Sequence, residues 1–319
     1  RKMRVDTTVV EAPIAYPTDS DLCEDGFRVL QRHLQRLLAA GVQLPFALKD
    51  RSRSVARRMR EIAQALRRRG DAAKEAMRAP YRKLLRVTAR LCRQSEQAIV
   101  AATSQLDGLH QQARGQAERA VQALRTFAPR VRQVVSQTRA RVVRGVTNSE
   151  GKLISIFEPT SRILRRGKLH KPTEFGQLVI VQEAEGGIVT DACVTDAGHD
   201  SELLVSTVER HIELFGKAPK SAATDRGFYS TAGERRIKEL GVQHAAIPKP
   251  GHKSTSRTKH ERQRWFKRER AWRAGGEARI SRLKHTFGMA RSRYQGADGT
   301  ARTVKWAAIA NNLVAIARA

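Results

Sequence analysis

Three carboxylates and a few neighbouring cations carry the chemistry open to this chain. Asp6 sits inside MRVDTTVVE, Asp225 closes the short run SAATD, and Glu277 stands in WRAGGEARISRLKHTFG. In that last stretch Glu277 is the one acidic residue among Arg273, Arg279, Arg282 and Lys284. Past Gly275 and Gly276, the residues Ile280, Leu283 and Phe287 recur at three- and four-residue steps, which is a helical period. On such a helix Glu277 and Lys284 share a face, almost two turns apart. If the helix runs back through the glycines, Arg273 lies one turn before Glu277 on that face. A carboxylate flanked by cations has the makeup of a metal ligand beside phosphate contacts. Taken alone, the stretch is better read as a solvated helix with ordinary i,i+4 ion pairs.

Composition changes that balance. Lys and Arg number 61 against 31 Asp and Glu, a formal charge of +30 over 319 residues. Such an excess opposes compaction and points to a polyanionic partner, with nucleic acid first and a membrane surface second. No apolar run approaches the roughly 20 residues of a membrane-spanning helix, and no signal-peptide pattern is present. A cytoplasmic location follows as the expectation. Cys23, Cys92 and Cys193 are far apart and form no C-x-x-C pair, so they read as reduced thiols without a disulfide frame or zinc site. At 5% aromatic content, a stacking platform for single strands is disfavoured.

The elements that must position the carboxylates follow from the periodicities. Met3–Glu11 reads as a strand, with Asp6 unfavourably placed in its middle unless something pairs with it. The acidic turn TDSDLCEDG offers Asp19 or Ser20 as a helix cap. From Phe27 to about Arg144 the pattern is helical, with four narrow apolar stripes and Arg and Gln on the other faces. Those arginines are either a solvated face or phosphate contacts. At Val146 the texture changes. Leu153–Phe157, Gln177–Gln182, Ile188–Thr195, Ser221–Asp225 and Val242–Ile247 read as strands. Ser201–Phe215 reads as a helix capped by Asp200 or Ser201, and a second helix ends near Gly241. Lys249–Arg268 reads as a mobile basic loop, and Val304–Ala317 as a final helix. The fold class is therefore α/β, a mixed sheet flanked by helices with a large all-helical insertion after the first strand. The expected division is 1–23 (first strand), 24–145 (helical insertion) and 146–319 (the rest of the sheet domain). A chain that opens on Arg1 and enters a strand at once suggests a further segment upstream.

Asp6, Asp225 and Glu277 each stand where a strand end or adjacent helix could aim them at one centre, and strand ends of α/β sheets collect ligands. Converging carboxylates need a counter-charge, which a divalent metal supplies. Mg²⁺ takes oxygen ligands and works with substrate phosphates. Two such ions roughly 4 Å apart can stabilise both oxygens of an in-line phosphoryl displacement. Other chemistries fare worse: there is no G-x-G-x-x-G, no complete phosphate-binding loop and no G-x-S-x-G. His170, His199, His211 and His244 lack zinc spacing.

The order of these blocks resembles the DDE transposases of bacterial insertion sequences, which use an RNase H-like fold. MRVDTTVVE with YPTDSDLCEDG is similar to the first-aspartate block, and AATDRGFYS to the second. SIFEPTSRILRRGKLHKPTEFG and TDAGHDSELL resemble the middle strands, and WRAGGEARISRLKHTFGMARSRYQG the glutamate block. The family spacing Tyr-x2-Arg-x3-Glu-x6-Lys is met by Arg273, Glu277 and Lys284, while Arg270 replaces the tyrosine. The helical insertion is closest to the ISNCY-like group. The resemblance implies that Asp6, Asp225 and Glu277 hold two Mg²⁺ ions, with Mn²⁺ as an alternative, for cleavage of the element's ends and strand transfer into target DNA. It implies phosphate or terminal-base contacts for Arg273 and Lys284, and a homodimer on paired ends at the bacterial nucleoid. Arg226 and Tyr229 are DNA contacts or turn and packing residues; Arg279 and Arg282 are further DNA contacts. Asp196 and Asp200 read as turn and cap residues. Lys152, Arg165, Arg166, Lys168 and Lys171 are candidate backbone contacts. An upstream DNA-binding domain, a non-catalytic DNA-binding remnant and an RNase H-like nuclease are the remaining expectations.

Overall fold

The computed structural model describes residues 2–68, 70–147, 151–165 and 172–318. The chain divides into two compact units, Arg1–Pro13 with Thr160–Ala319, and Ile14–Pro159.

The first unit is built on a mixed sheet. Strand β1 (Lys2–Glu11) runs antiparallel to β3 (Glu174–Ala184) on one side and parallel to β5 (Ser221–Ala223) on the other. Strand β4 (Val189–Thr195) and the short β2 (Arg162–Leu164) pair antiparallel with β3, and β6 (His244–Ala246) runs parallel to β5. The β-branched run of β1 suits this central place, because its side chains are buried on both faces. Met3 and Val5 pack towards α5 (Leu203–Phe215) and α6 (Thr231–Glu239), through Leu204, Val208 and Ile237. Val10 points to the opposite face, towards Leu283 of α8 (Arg264–His285) and Val304 of α9 (Gly296–Ile316). Strand alternation therefore sets Arg4, Asp6 and Thr8 on the α8 face.

Helix α8 continues through Gly275 and Gly276. The reason is a close approach: a Cβ at position 275 would lie 2.8 Å from Arg4 Nη1. Arg4 runs under the helix, donating to the Trp272 carbonyl with its guanidinium 4.8 Å from the indole centroid. It forms a two-point ion pair with buried Glu183, at 2.9 and 2.7 Å. Arg279 reaches the same Glu183 at 3.1 Å and donates to Asn311 Oδ1 of α9 at 2.8 Å. Asn311 and Asn312 then bond to backbone carbonyls of Gly187 and Val189 at the start of β4. A chain of buried polar contacts thus ties β1, β3, α8 and α9 together, each group being satisfied by the next.

The basic stretch expected as a mobile loop is ordered. Ser254 Oγ accepts from the backbone N–H of Arg257 and caps α7 (Thr255–Arg262). Arg257 then pairs with Glu234 of α6 at 2.7 Å and with Glu261 at 2.9 Å. Both carboxylates are nearly buried, so charge pairing replaces the apolar stripe that would have marked this helix in the sequence.

The second unit contains α1 (Asp19–Ala39), α2 (Ser52–Ala65), α3 (Gly70–Gln105) and α4 (Gln111–Arg144). Its core joins Leu30, Leu34 and Leu37 to Leu84, Leu91, Leu124, Val131 and Val135. Helices α1 and α4 meet at Gly26, where a Cβ would come within 2.7 Å of a Val131 methyl. The cap of α1 is Thr18, whose hydroxyl accepts from Asp21 N–H at 3.1 Å, in place of the expected Asp19 or Ser20. Asp19 is instead buried against Arg141 (2.8 Å) and Lys152 (3.5 Å). Leu153–Phe157 is not a strand. Gln137 of α4 both donates to the Leu153 carbonyl (2.7 Å) and accepts from its N–H (3.1 Å), and Arg130 donates to the Ile156 carbonyl. Helix side chains satisfy this backbone, so Leu153 and Ile156 enter the helical core. Burial pushes the Cys23 thiol up to about 12 and the Cys92 thiol up to about 11, which keeps both protonated. Among the described residues no helix is long and apolar enough to cross a membrane.

Candidate active site

The site grows out of β1, the end of β5 and one face of α8, all within the sheet unit. Strands β1 and β5 pair in parallel with Arg4 opposite Ala223. The pairing ends there: Asp6 lies two residues further along β1, and Asp225 two residues beyond β5, where the chain enters the turn Arg226–Phe228. Neighbouring parallel strands lie about 4.8 Å apart, so Asp6 and the loop that carries Asp225 belong to neighbouring strands. The small residues Ala222 and Ala223 keep this edge narrow and fully buried.

Asp6 is partly buried on the α8 face. Its Oδ2 accepts from Arg273 Nη2 at 2.8 Å, and its Oδ1 accepts from the backbone N–H of Thr7 at 2.9 Å. This is the partner that a mid-strand carboxylate required. Arg273 also donates from Nη1 to Glu277 Oε1 at 3.2 Å, the i,i+4 contact that an unbroken α8 predicts. One guanidinium thus holds Asp6 and Glu277 at a single centre. Glu277 stays largely in solvent, with 73% of its side chain exposed, whereas Arg273 is 18% exposed. A water-sized cavity beside them is lined by Arg4, Asp6, Glu183, Arg273 and Arg279.

Asp225 is half-buried and turned to its own loop. Its Oδ1 accepts from Gly227 N–H at 2.8 Å and caps the single helical turn Arg226–Phe228. Asp200 lies beside it: a Cβ at Gly227 would meet Asp225 Oδ1 at 3.1 Å and Asp200 Oδ2 at 3.2 Å. Asp200 Oδ1 accepts from the Thr7 hydroxyl at 3.1 Å. Asp200 is therefore tied to β1 next to Asp6, and it does not cap α5, which starts without a side-chain cap. The sequence offered no signal for this fourth carboxylate, because Thr7 and Asp200 are far apart in the chain. Among the described residues, no group of three or more His, Cys, Asp or Glu side chains stands in a metal-holding cluster.

The flanking cations separate into two sets. Lys284 is half-buried on α8, two turns beyond Glu277, and Arg226 is exposed on the turn after Asp225. Arg282 stacks over Phe287 at 5.4 Å from the ring centroid. Arg279, expected as a DNA contact, points inward to Glu183 and Asn311. Tyr229 packs against the α5/α6 core under the Arg257 guanidinium. Lys152 belongs to the helical unit, where it pairs with Asp19. Arg165 is exposed, and Arg166, Lys168, His170 and Lys171 lie outside the described residues. No family model matches the chain, and no curated protein or solved structure is significantly similar to it.

Proposed function

We propose that this chain is a metal-dependent DNA transposase of the DDE type with an RNase H-like core, similar to the ISNCY-like group. The observation that carries the reading is the register of β1 against β5 together with the Arg273 bridge. Parallel pairing sets Asp6, within β1, beside the strand that Asp225 follows, and Arg273 joins Asp6 to Glu277. The sheet supports it as well, with an antiparallel set on one side of β1 and a parallel pair on the other. A formal charge of +30 suits a DNA substrate.

Asp6, Asp225 and Glu277 would hold two Mg²⁺ ions, with Mn²⁺ as the alternative; their all-oxygen donor set fits these hard cations. Bound there, the ions would activate water and stabilise the attacking and leaving oxygens of phosphodiester displacement. The chain's own residues prepare that chemistry. Arg273 supplies positive charge between two carboxylates of the centre. Lys284 and Arg226 flank it as phosphate contacts for the terminal repeats and the target strand. Two copies on paired ends, acting at the nucleoid in the cytoplasm, complete the reading.

The test is strand cleavage and joining on DNA carrying the element's ends, with Mg²⁺ present. Asp225→Ala and Glu277→Ala should each abolish both reactions while leaving the fold intact, and full activity in either would overturn the mechanism. A second reading, a non-catalytic DNA-binding remnant, is favoured by one observation: the Asp225 carboxylate caps its own turn. Salt-dependent binding without cleavage, unchanged by both substitutions, would establish that reading instead. Cleavage without joining would point to an RNase H-like nuclease.

A further inference from the structure

The helical unit carries a basic feature that the carboxylate site does not use. Along α3, Arg82, Arg86 and Arg90 repeat at four-residue steps and Arg93 follows, so their side chains form one row. Successive members of the four-residue row rise about 6 Å along the axis. All four are exposed. Arg82, Arg86 and Arg93 line a groove of about 350 Å³ with Arg139 of α4, over a floor that includes Leu85 and Ala89. Arg86 also borders an adjoining concavity of about 250 Å³, which Arg90, Lys49 and Arg51 line as well. The row therefore borders two hollows that share Arg86 and is not spread over a convex surface.

Its chemistry differs from that of other arginines in the same unit. Arg57 and Arg58 pair with Glu61, Arg78 with Glu75, Arg132 with Glu96 and Arg141 with Asp19. Among the described residues, no carboxylate forms an ion pair with Arg82, Arg86, Arg90, Arg93 or Arg139. Like charges gathered in a hollow repel one another, and a polyanion that fits the hollow relieves this. Guanidinium forks match phosphate oxygens in geometry as well as charge. The groove between α3 and α4 has no aromatic lining on which bases could stack, and Phe27 in the second hollow is buried in the helical core. That favours the backbone of a duplex over a single strand.

We propose that this arginine row and its groove form a docking track for the phosphate backbone of duplex nucleic acid. The track lies within the helical unit and is independent of strand cleavage. The contacts position a duplex without reading its sequence.

The test uses the full chain and a short DNA duplex of arbitrary sequence, with affinity followed by fluorescence anisotropy across a salt series. One variant carries Arg82→Gln, Arg86→Gln, Arg93→Gln and Arg139→Gln. A control removes the same charge from exposed positions of the helical unit outside the groove, with Arg60→Gln, Arg67→Gln, Arg119→Gln and Arg125→Gln. Glutamine is a good helix former, so unchanged melting of both variants verifies the fold. The groove variant should bind on the order of 10-fold more weakly than the control, and its salt slope should fall by about 1 for each phosphate it no longer neutralises. Four lysines at the groove positions should restore part of the affinity. Equal losses in the two variants would overturn the proposal, since diffuse charge would then explain binding. So would a groove variant that loses affinity for polyglutamate but keeps it for the duplex, which would assign the track to acidic protein. Duplex binding is read without Mg²⁺ and strand cleavage in a separate assay, so failure of the cleavage mechanism and failure of this track give different results.

Discussion

The two units handle charge to different degrees, although the helical unit also buries Asp19. The sheet unit takes charge inside, with Arg4, Glu183, Glu234 and Glu269 all nearly or fully buried. The helical unit fills its core with Leu, Val and Ala and leaves most arginines on the outer faces. The difference follows from what each must hold. Helices α8 and α9 must sit at a fixed place over β1 so that Arg273 meets Asp6, and directional ion pairs specify such a placement. A helical bundle needs only matched apolar stripes, which are non-directional and roughly additive with area. Both units share the positive excess evenly, so charge alone does not distinguish their roles; its burial and pairing do.

The contrast breaks most strongly at Glu183. Glu183→Ala leaves Arg4 and Arg279 buried without their carboxylate and should cost about 3–5 kcal/mol, the range for breaking a buried pair. Hydrogen exchange should show that loss in the sheet unit, with protection of α1–α4 unchanged. In the helical unit the corresponding weakness is volume. Leu124→Ala removes a fully buried side chain and should cost about 2–5 kcal/mol, read as faster exchange in α1–α4 with no change in the β strands. A smaller effect is expected at the start of α1. Thr18→Ala deletes the cap on Asp21 N–H and should cost about 1 kcal/mol, with fraying confined to the first turn. The smallest belongs to a surface pair. Glu61→Gln removes the partner of Arg57 and Arg58 and should shift stability by no more than about 1 kcal/mol. A Glu61→Gln loss as large as that of Glu183→Ala would erase the distinction between the units.

Several parts of this organisation are legible in the chain itself. The β-branched run of β1 marks a buried strand, and the four apolar stripes mark the helical unit. Arg273 and Glu277 are four residues apart, so an unbroken helix brings them together whatever surrounds it. Other parts are not legible, for identifiable reasons. Leu153–Phe157 has strand composition, but Gln137 and Arg130 satisfy its backbone from a helix remote in sequence. Lys249–Arg268 looks polar and loose because Arg257, Glu234 and Glu261 stabilise it by pairing and leave no apolar period. Asp200 looks like a cap until Thr7 and Gly227 come beside it.

For the opening constellation, residue types and local spacing determined which groups are available: three carboxylates, an arginine one turn from the glutamate, and a lysine two turns beyond. Only the tertiary structure decided which of them meet. It brought Asp6 to Arg273 and turned Arg279 inward to Glu183, although both arginines lie on the same helix. It also paired β5 beside β1, with Asp225 just beyond the last paired residue, and turned the Asp225 carboxylate onto Gly227 N–H. Helical periodicity sets the angles between side chains on one helix. Which of those angles faces the sheet depends on contacts between segments far apart in the chain, and no local pattern contains them.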